Sequence, residues 1–397
     1  MVVWTVSFLL VGLSAHSRGQ EYHPRIEDRV VSGDEQPPLA DRDEERRGGW
    51  DLGAVISAAY DNNIFLSRSD TESDMVFRLS PLIAYSKGDD KSGGGGWIKA
   101  AYRPAAVVYK DHGSENRTDH DLVIEAGWLG RATRIAYTGA LRKLGDATAD
   151  AGRPVDRLES ENEVRATWTP REKLALEVAA ANTQVDYVDP SYYDSSDTYG
   201  EVALRYTYSP KTELGLAARA GRFRVEGAGP QDTWSLAASI AWTPREKIRL
   251  AMRAGAEHRS TDIGTSWNPV LEGRIDWTPR RGTGLYLEGY MRQKASSYLA
   301  GRNYQVNGFT AGATQKLGEH WTAKLDGGFE SNSYEVVSGS GGTGRRDNIW
   351  FLRPALVRTV GEKSDLSLFY RISSNSSTDS SFGYDQQLIG VEFNHKF

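Results

Sequence analysis

Residues 234–255 read WSLAASIAWTPREKIRLAMRAG, two alternating runs joined by a polar phrase. Ahead of the phrase, Trp234, Leu236, Ala238, Ile240 and Trp242 fall on every second position, with Ser235, Ala237, Ser239 and Ala241 between them. After it, Ile248, Leu250, Met252 and Ala254 alternate with Arg249, Ala251, Arg253 and Gly255. Side chains of a strand point to opposite faces in turn, so this period places the apolar set on one face and the polar set on the other. Pro244 followed by charged residues predicts a tight turn between two antiparallel strands.

The phrase recurs. WTPREKLALEVAA begins at Trp168, YSPKTELGLAARA at Tyr208 and WTPRRGTGLYLEG at Trp277, which spaces the four copies by 40, 34 and 35 residues. Such a spacing suits a solenoid or a propeller. Each period, however, holds one tight turn and one stretch rich in glycine, serine and aspartate, such as VDPSYYDSSD, DIGTSW or VSGSGGTGRR. That is a hairpin plus a return loop. Short turns at one end and long loops at the other predict a transmembrane barrel with periplasmic turns and extracellular loops.

The polar face separates a membrane barrel from a soluble one. Leu271, Gly273, Ile275 and Trp277 alternate with Glu272, Arg274 and Asp276, and Trp321, Ala323, Leu325 and Phe329 with Lys324, Asp326 and Glu330. A soluble sandwich or small barrel would fill its inner face with bulky apolar groups. Here one face is apolar and often small, while the other carries charges of both signs that can pair across a water-filled lumen. The lumen-lining candidates are therefore Arg249, Arg253, Glu272, Arg274, Asp276, Glu288, Arg292, Lys324 and Asp326. Their mixed signs imply a lateral field that orients polar solutes; the structural alternative is cross-strand pairing that only holds the barrel's shape.

Two aromatic features point to lipid. Trp168, Tyr208, Trp242 and Trp277 each sit on the apolar face just before a turn, where a barrel would align them as a girdle at the periplasmic interface. The chain closes on QQLIGVEFNHKF, with Ile389, Val391, Phe393 and Phe397 on one face. A strand of this form ending in an aromatic resembles the signal read by the barrel assembly machinery, with His395 departing from the pattern.

Composition agrees. Of 397 residues only 39% are hydrophobic, and the 41 glycines, 19 tyrosines and 11 tryptophans against 4 methionines favour strands and turns over helices. Net charge is −5 with both signs scattered, which excludes the basic stripe of a nucleic-acid binder. The absence of cysteine removes thiol catalysis and thiolate metal sites. At the start, the apolar run Val2 to Leu13 followed by Ser14, Ala15 and Ser17 has the order of a signal peptide, although no basic residue precedes it. The expected organisation is a signal peptide over 1–19, a disordered polar segment over 20–49 containing DRDEERR, and a barrel over 50–397. The fold class is all-β: a transmembrane antiparallel up-and-down barrel of 18 to 20 strands. RLSPLIAY and AAYRPAAVVY are its shortest and least regular members.

The order AAYDNNIF, DMVFRLSPLIAYS, NRTDHDLVIEAGW and WTPREKLALEVAA resembles the β-barrel porin-2 family. The resemblance runs from Trp50 to Phe397 and rests on turns and strand ends. It implies a passive outer-membrane conduit in a Gram-negative bacterium, with a secreted polysaccharide as cargo and periplasmic export proteins as partners beside outer-membrane lipid. A general diffusion porin for small polar solutes is the alternative, and a non-conducting scaffold or adhesin acting through its loops is a third.

Enzymatic readings fare worse. Asp111 with His112, and His120 with Asp121, are acid–imidazole pairs near loops, but loop charge accounts for them and no G-x-S-x-G phrase supplies a nucleophile. Gly339, Gly341 and Gly344 match G-x-G-x-x-G without the helix that would hold a phosphate, and the glycine run ending at Gly96 is likewise a loop. Asn116-Arg117-Thr118 is a formal glycosylation sequon without meaning in a bacterial barrel. No cofactor and no metal are expected.

Overall fold

The structure is a computed structural model that describes residues 48–90, 94–148, 150–262, 264–296, 298–299, 303–334 and 344–397. The expected signal peptide and nearly all of the expected polar segment lie outside the described residues. The first strands are β1 (Gly48–Asp61), β2 (Asp74–Lys87), β3 (Gly95–Tyr109), β4 (Arg117–Leu129), β5 (Thr133–Leu144) and β6 (Arg157–Arg171). Next come β7 (Leu174–Tyr187), β8 (Ser195–Ser209), β9 (Thr212–Val225), β10 (Gln231–Arg245), β11 (Ile248–Thr261) and β12 (Gly264–Arg280). The last are β13 (Thr283–Ala295), β14 (Asn303–Lys316), β15 (Trp321–Tyr334), β16 (Arg346–Val360), β17 (Ser364–Ser377) and β18 (Tyr384–Lys396).

Each strand pairs antiparallel with its sequence neighbours, and β18 returns to β1 through nine register pairs from Gly53↔Lys396 to Asp61↔Leu388. The result is a closed 18-stranded up-and-down barrel. Closure leaves no sheet edge, which is what allows strands to cross a bilayer where no water can satisfy a free backbone group. RLSPLIAY and AAYRPAAVVY form full-length strands, β2 and β3, of 14 and 15 residues. Pro81 pairs with Ala54 of β1 and Pro104 with His120 of β4, while the β2–β3 register is interrupted between Leu79↔Ala106 and Ile83↔Tyr102, where the two prolines lie.

The repeated phrase adopts two geometries. After Trp168, Trp242 and Trp277 the register slips, so that Thr-Pro forms a bulge, the next arginine is still paired, and the two residues after it, Glu172-Lys173, Glu246-Lys247 and Arg281-Gly282, make the turn. The proline sits where no ladder donor is needed. The adjoining threonine keeps its own bond across the sheet, Thr243 N–H to the Lys211 carbonyl and Thr278 N–H to the Lys247 carbonyl, each at 2.8 Å. After Tyr208 the turn is instead Pro210-Lys211 itself. At the other end the connections reach twelve residues in the β1–β2 and β5–β6 loops. One is far shorter than its composition suggested: GTSW of DIGTSW belongs to β12, leaving only residues 262 and 263 between β11 and β12.

Lipid-facing and inward positions follow the alternation. Trp234, Leu236, Met252, Leu271, Ile275, Phe309, Leu325, Ile389 and Val391 are exposed on the outer surface. Trp168 (52%), Tyr208 (66%), Trp242 (44%) and Trp277 (46%) project outward in one band at the turn end. At the loop end Trp234 and Trp267 meet edge to face, ring centres 4.9 Å apart, with His258 against both. Ten residues separate Trp267 from Trp277 on β12. At about 3.3 Å per residue and a tilt of about 40°, they stand about 25 Å apart along the barrel axis, the height of the apolar band of an outer-membrane barrel.

Candidate functional site

The interior is a lattice of paired charges built by the inward half of each strand. All nine predicted lining residues lie on that face, half-buried. Arg249 stands opposite Asp276 and Arg253 opposite Glu272 in the β11–β12 register. Arg274 bridges Asp276 at 2.9 Å and Glu288 at 3.0 Å. Arg253 reaches past two strands to Glu201 on β8, at 2.9 Å. Asp326 accepts the Tyr286 hydroxyl at 2.9 Å, and Arg292 lies over the Tyr290 ring at 4.5 Å. Lys324 is opposite Thr314 and Ala355 in the register of β14, β15 and β16.

An equally dense cluster on β6–β8 was not singled out from the sequence. Glu177, 1% exposed, takes Arg165 at 3.5 Å, the Thr167 hydroxyl at 3.2 Å and Arg205. Glu163 receives Arg165 at 2.9 Å. The same alternation carries these residues, since Glu159, Glu161, Glu163 and Arg165 share one parity; it is blurred because the opposite face of that strand holds polar Ser160 and Asn162 where apolar residues would mark it.

Guanidinium groups also cover the interior rings. Arg219 lies 3.3 Å over Tyr199, Arg274 4.9 Å over Tyr286 and Arg353 4.9 Å over Phe369. Such stacking is favourable by about 0.5–2 kcal/mol and uses the ring faces that a passing sugar would need.

The lumen is crossed at its loop end by the β5–β6 loop. Its base is fixed by Arg157, 2% exposed, which reaches the Asp146 carboxylate at 2.8 Å and Glu159 at 2.7 Å. Its tip crosses to the opposite wall. Asp150 accepts hydrogen bonds from Ser296 Oγ at 3.0 Å and the Tyr334 hydroxyl at 2.9 Å, while its carbonyl accepts from Arg345 at 3.2 Å. β6, which follows the loop, and β15, which carries Tyr334, are nine strands apart in the closed order of eighteen, so this loop spans the diameter. Ala147 packs with Leu66 of the β1–β2 loop and with Ile349, Phe351 and Tyr384 of the far wall. Ala151 and Val155 pack on Tyr192 of the β7–β8 loop. Gly152, at φ +69°, lies against Phe382, where a Cβ would come within 2.8 Å of the ring. Within this strap, Arg153 donates to the Tyr192 hydroxyl at 2.8 Å. The Ser191 hydroxyl and N–H hold the neighbouring Asp189 carboxyl below its ordinary range.

The acid–imidazole pairs are not assembled. His112 faces Asp74 rather than Asp111; His120 points outward against the Tyr102 hydroxyl at 2.7 Å, while Asp121 turns inward to Arg142 at 3.2 Å. Among the described residues no cluster of three His, Asp or Glu side chains could hold a metal ion. Gly339 and Gly341 lie outside the described residues.

No protein-family model matches the chain, so the resemblance to the β-barrel porin-2 family finds no support there. No curated protein matches it either. Among solved structures the chain is similar to the outer-membrane protein OpdK of Pseudomonas aeruginosa, at 14% identity over 88% of this chain and 99% of that one, TM-score 0.49. A BenF-like porin of Pseudomonas fluorescens gives 13%, 88%, 99% and 0.49. OccAB3 of Acinetobacter baumannii gives 9%, 88%, 99% and 0.49. The functional reading below stands on the geometry of this barrel alone.

Proposed function

We propose that the chain is an outer-membrane channel of a Gram-negative bacterium that passes small polar solutes, with the β5–β6 loop setting its bore. The observation that carries this is the latch of Asp150 onto Ser296 and Tyr334 across an interior lined by paired charges. In this reading Arg249, Arg253, Glu272, Arg274, Asp276, Glu288, Arg292, Lys324 and Asp326 line the water path, and their alternating signs orient solutes without strong ion preference. Trp168, Tyr208, Trp242 and Trp277 form the periplasmic girdle, and Ile389, Val391, Phe393 and Phe397 serve recognition by the assembly machinery.

A polysaccharide conduit is the weaker reading. A strap anchored on both walls leaves little room for a polymer, and the interior rings carry guanidinium groups where sugars would stack. A non-conducting scaffold has one feature in its favour, the apolar contact of Leu66 and Ala147 in the lumen.

Planar-bilayer recording separates these. The channel reading expects stepwise conductance from the native barrel and larger steps when residues 146–155 are replaced by a short glycine-serine link. A silent bilayer before and after that replacement, with insertion confirmed, would leave only the scaffold.

A further inference from the structure

The β1–β2 loop is held in an unfavourable shape. Leu66, only 2% exposed, has φ +54°, a left-handed conformation that a branched side chain adopts only when its surroundings impose it. Its side chain belongs to a buried cluster with Ala147 of the β5–β6 loop, Ile349 and Phe351 of β16 and Tyr384 of β18. The start of this loop is fastened to β18, with Asn63 Nδ2 donating to the Asp385 carbonyl at 2.9 Å and Asn62 Oδ1 accepting from the Gln387 N–H at 2.7 Å; its far end is held by an imidazole. Asp74, whose side chain is fully buried at the start of β2, gathers the N–H groups of Met75, Asp111 and His112 and also His112 Nδ1, the last at 2.8 Å. His112 Nε2 points at Glu72 of the β1–β2 loop, at 3.7 Å, and the ring meets Phe65 of that loop edge on at 5.7 Å.

A neutral imidazole has one N–H, whereas both nitrogens here face carboxylates, so only the imidazolium serves Asp74 and Glu72 together. We propose that His112 is a pH-operated clamp: protonated, it ties the β3–β4 loop to the β1–β2 loop and holds Leu66 in the lumen; deprotonated, it lets that loop relax outward.

The charged groups facing the ring are Asp74 on β2, Glu72 on the β1–β2 loop and Asp111 on its own loop, all acidic. The hydrogen bond to Asp74 foremost raises the affinity of His112 for its proton. A raised value fixes the sign. The stabilisation is complete below the ordinary histidine range, about 6.5, and is lost as pH rises through the higher folded value.

Any effect on current rests on the channel reading, so the first test does not use current. Hydrogen-exchange protection of residues 63–72 in the refolded barrel is compared at about pH 5.5 and about pH 8.5, after correction for intrinsic rates. The clamp predicts several-fold lower protection at the higher pH in the native protein and no such change in His112→Gln. Glu72→Gln, a milder change, should lower the His112 titration midpoint by NMR even if His112→Gln does not fold. Equal protection of the native loop at both pH values overturns the clamp. PH-dependent protection in a barrel that never conducts supports the clamp and removes the channel.

Discussion

The carboxylate of Asp150 accepts the hydroxyl of Tyr334 at 2.9 Å across the full width of the lumen, joining two residues 184 positions apart. Both are buried, and the same carboxylate holds Ser296. Asp150→Ala should therefore free the strap tip and raise single-channel conductance. Loss of these bonds should also lower stability by about 1–3 kcal/mol, and Tyr334→Phe by about 1 kcal/mol. Unchanged conductance in Asp150→Ala would mean that the strap does not set the bore.

Gly152 gives a second handle on the same loop. Its φ of +69° and its contact with Phe382 leave no room for a branched side chain. Gly152→Val should cost more than about 1 kcal/mol in denaturant unfolding. Pairing it with Phe382→Ala should recover part of that loss; strict additivity of the two would show that the ring is not the obstacle.

The lipid belt predicts a depth profile. Leu271 lies six residues along β12 from Trp277, about 15 Å up the axis and near the middle of the band, whereas Trp267 marks its rim. Leu271→Arg should destabilise the barrel in liposomes by about 2–4 kcal/mol and Trp267→Arg by about 1 kcal/mol or less. Equal costs would contradict the placement of the belt.

Charge balance inside is testable by selectivity. Glu177 serves Arg165 and Arg205 together, so Glu177→Gln leaves excess positive charge on the β6–β8 wall. Reversal potentials in a salt gradient should shift toward anions, with a stability loss on the order of 2 kcal/mol. An unchanged reversal potential would place this cluster outside the conduction path.

The barrel was legible because a period of two, read beside Trp242 and Trp277, fixes which side chains face lipid, and that pattern is local. The inward placement of the nine lining candidates, on β11, β12, β13 and β15, followed from the same parity. The strap did not. Asp150, Ser296, Tyr334 and Arg345 lie in four separate segments, and only closure of the sheet brings them together. Loop composition also misled at GTSW, where glycine and serine extend β12 because Thr265, Ser266 and Trp267 find register partners on β11. The tight turn assigned to Pro244 became a bulge because the charged pair after it, Glu246-Lys247, already suffices to reverse the chain.

The span of the strap bears on how the molecule is made. Its tip belongs to the first half of the chain, yet its holdfasts, Ser296, Tyr334 and Arg345, are supplied by segments synthesised at least 146 residues later. Contacts of such long sequence separation form late. The mouth of a half-built cylinder therefore stays unlatched throughout insertion, and the passage acquires its final width only as the wall is completed.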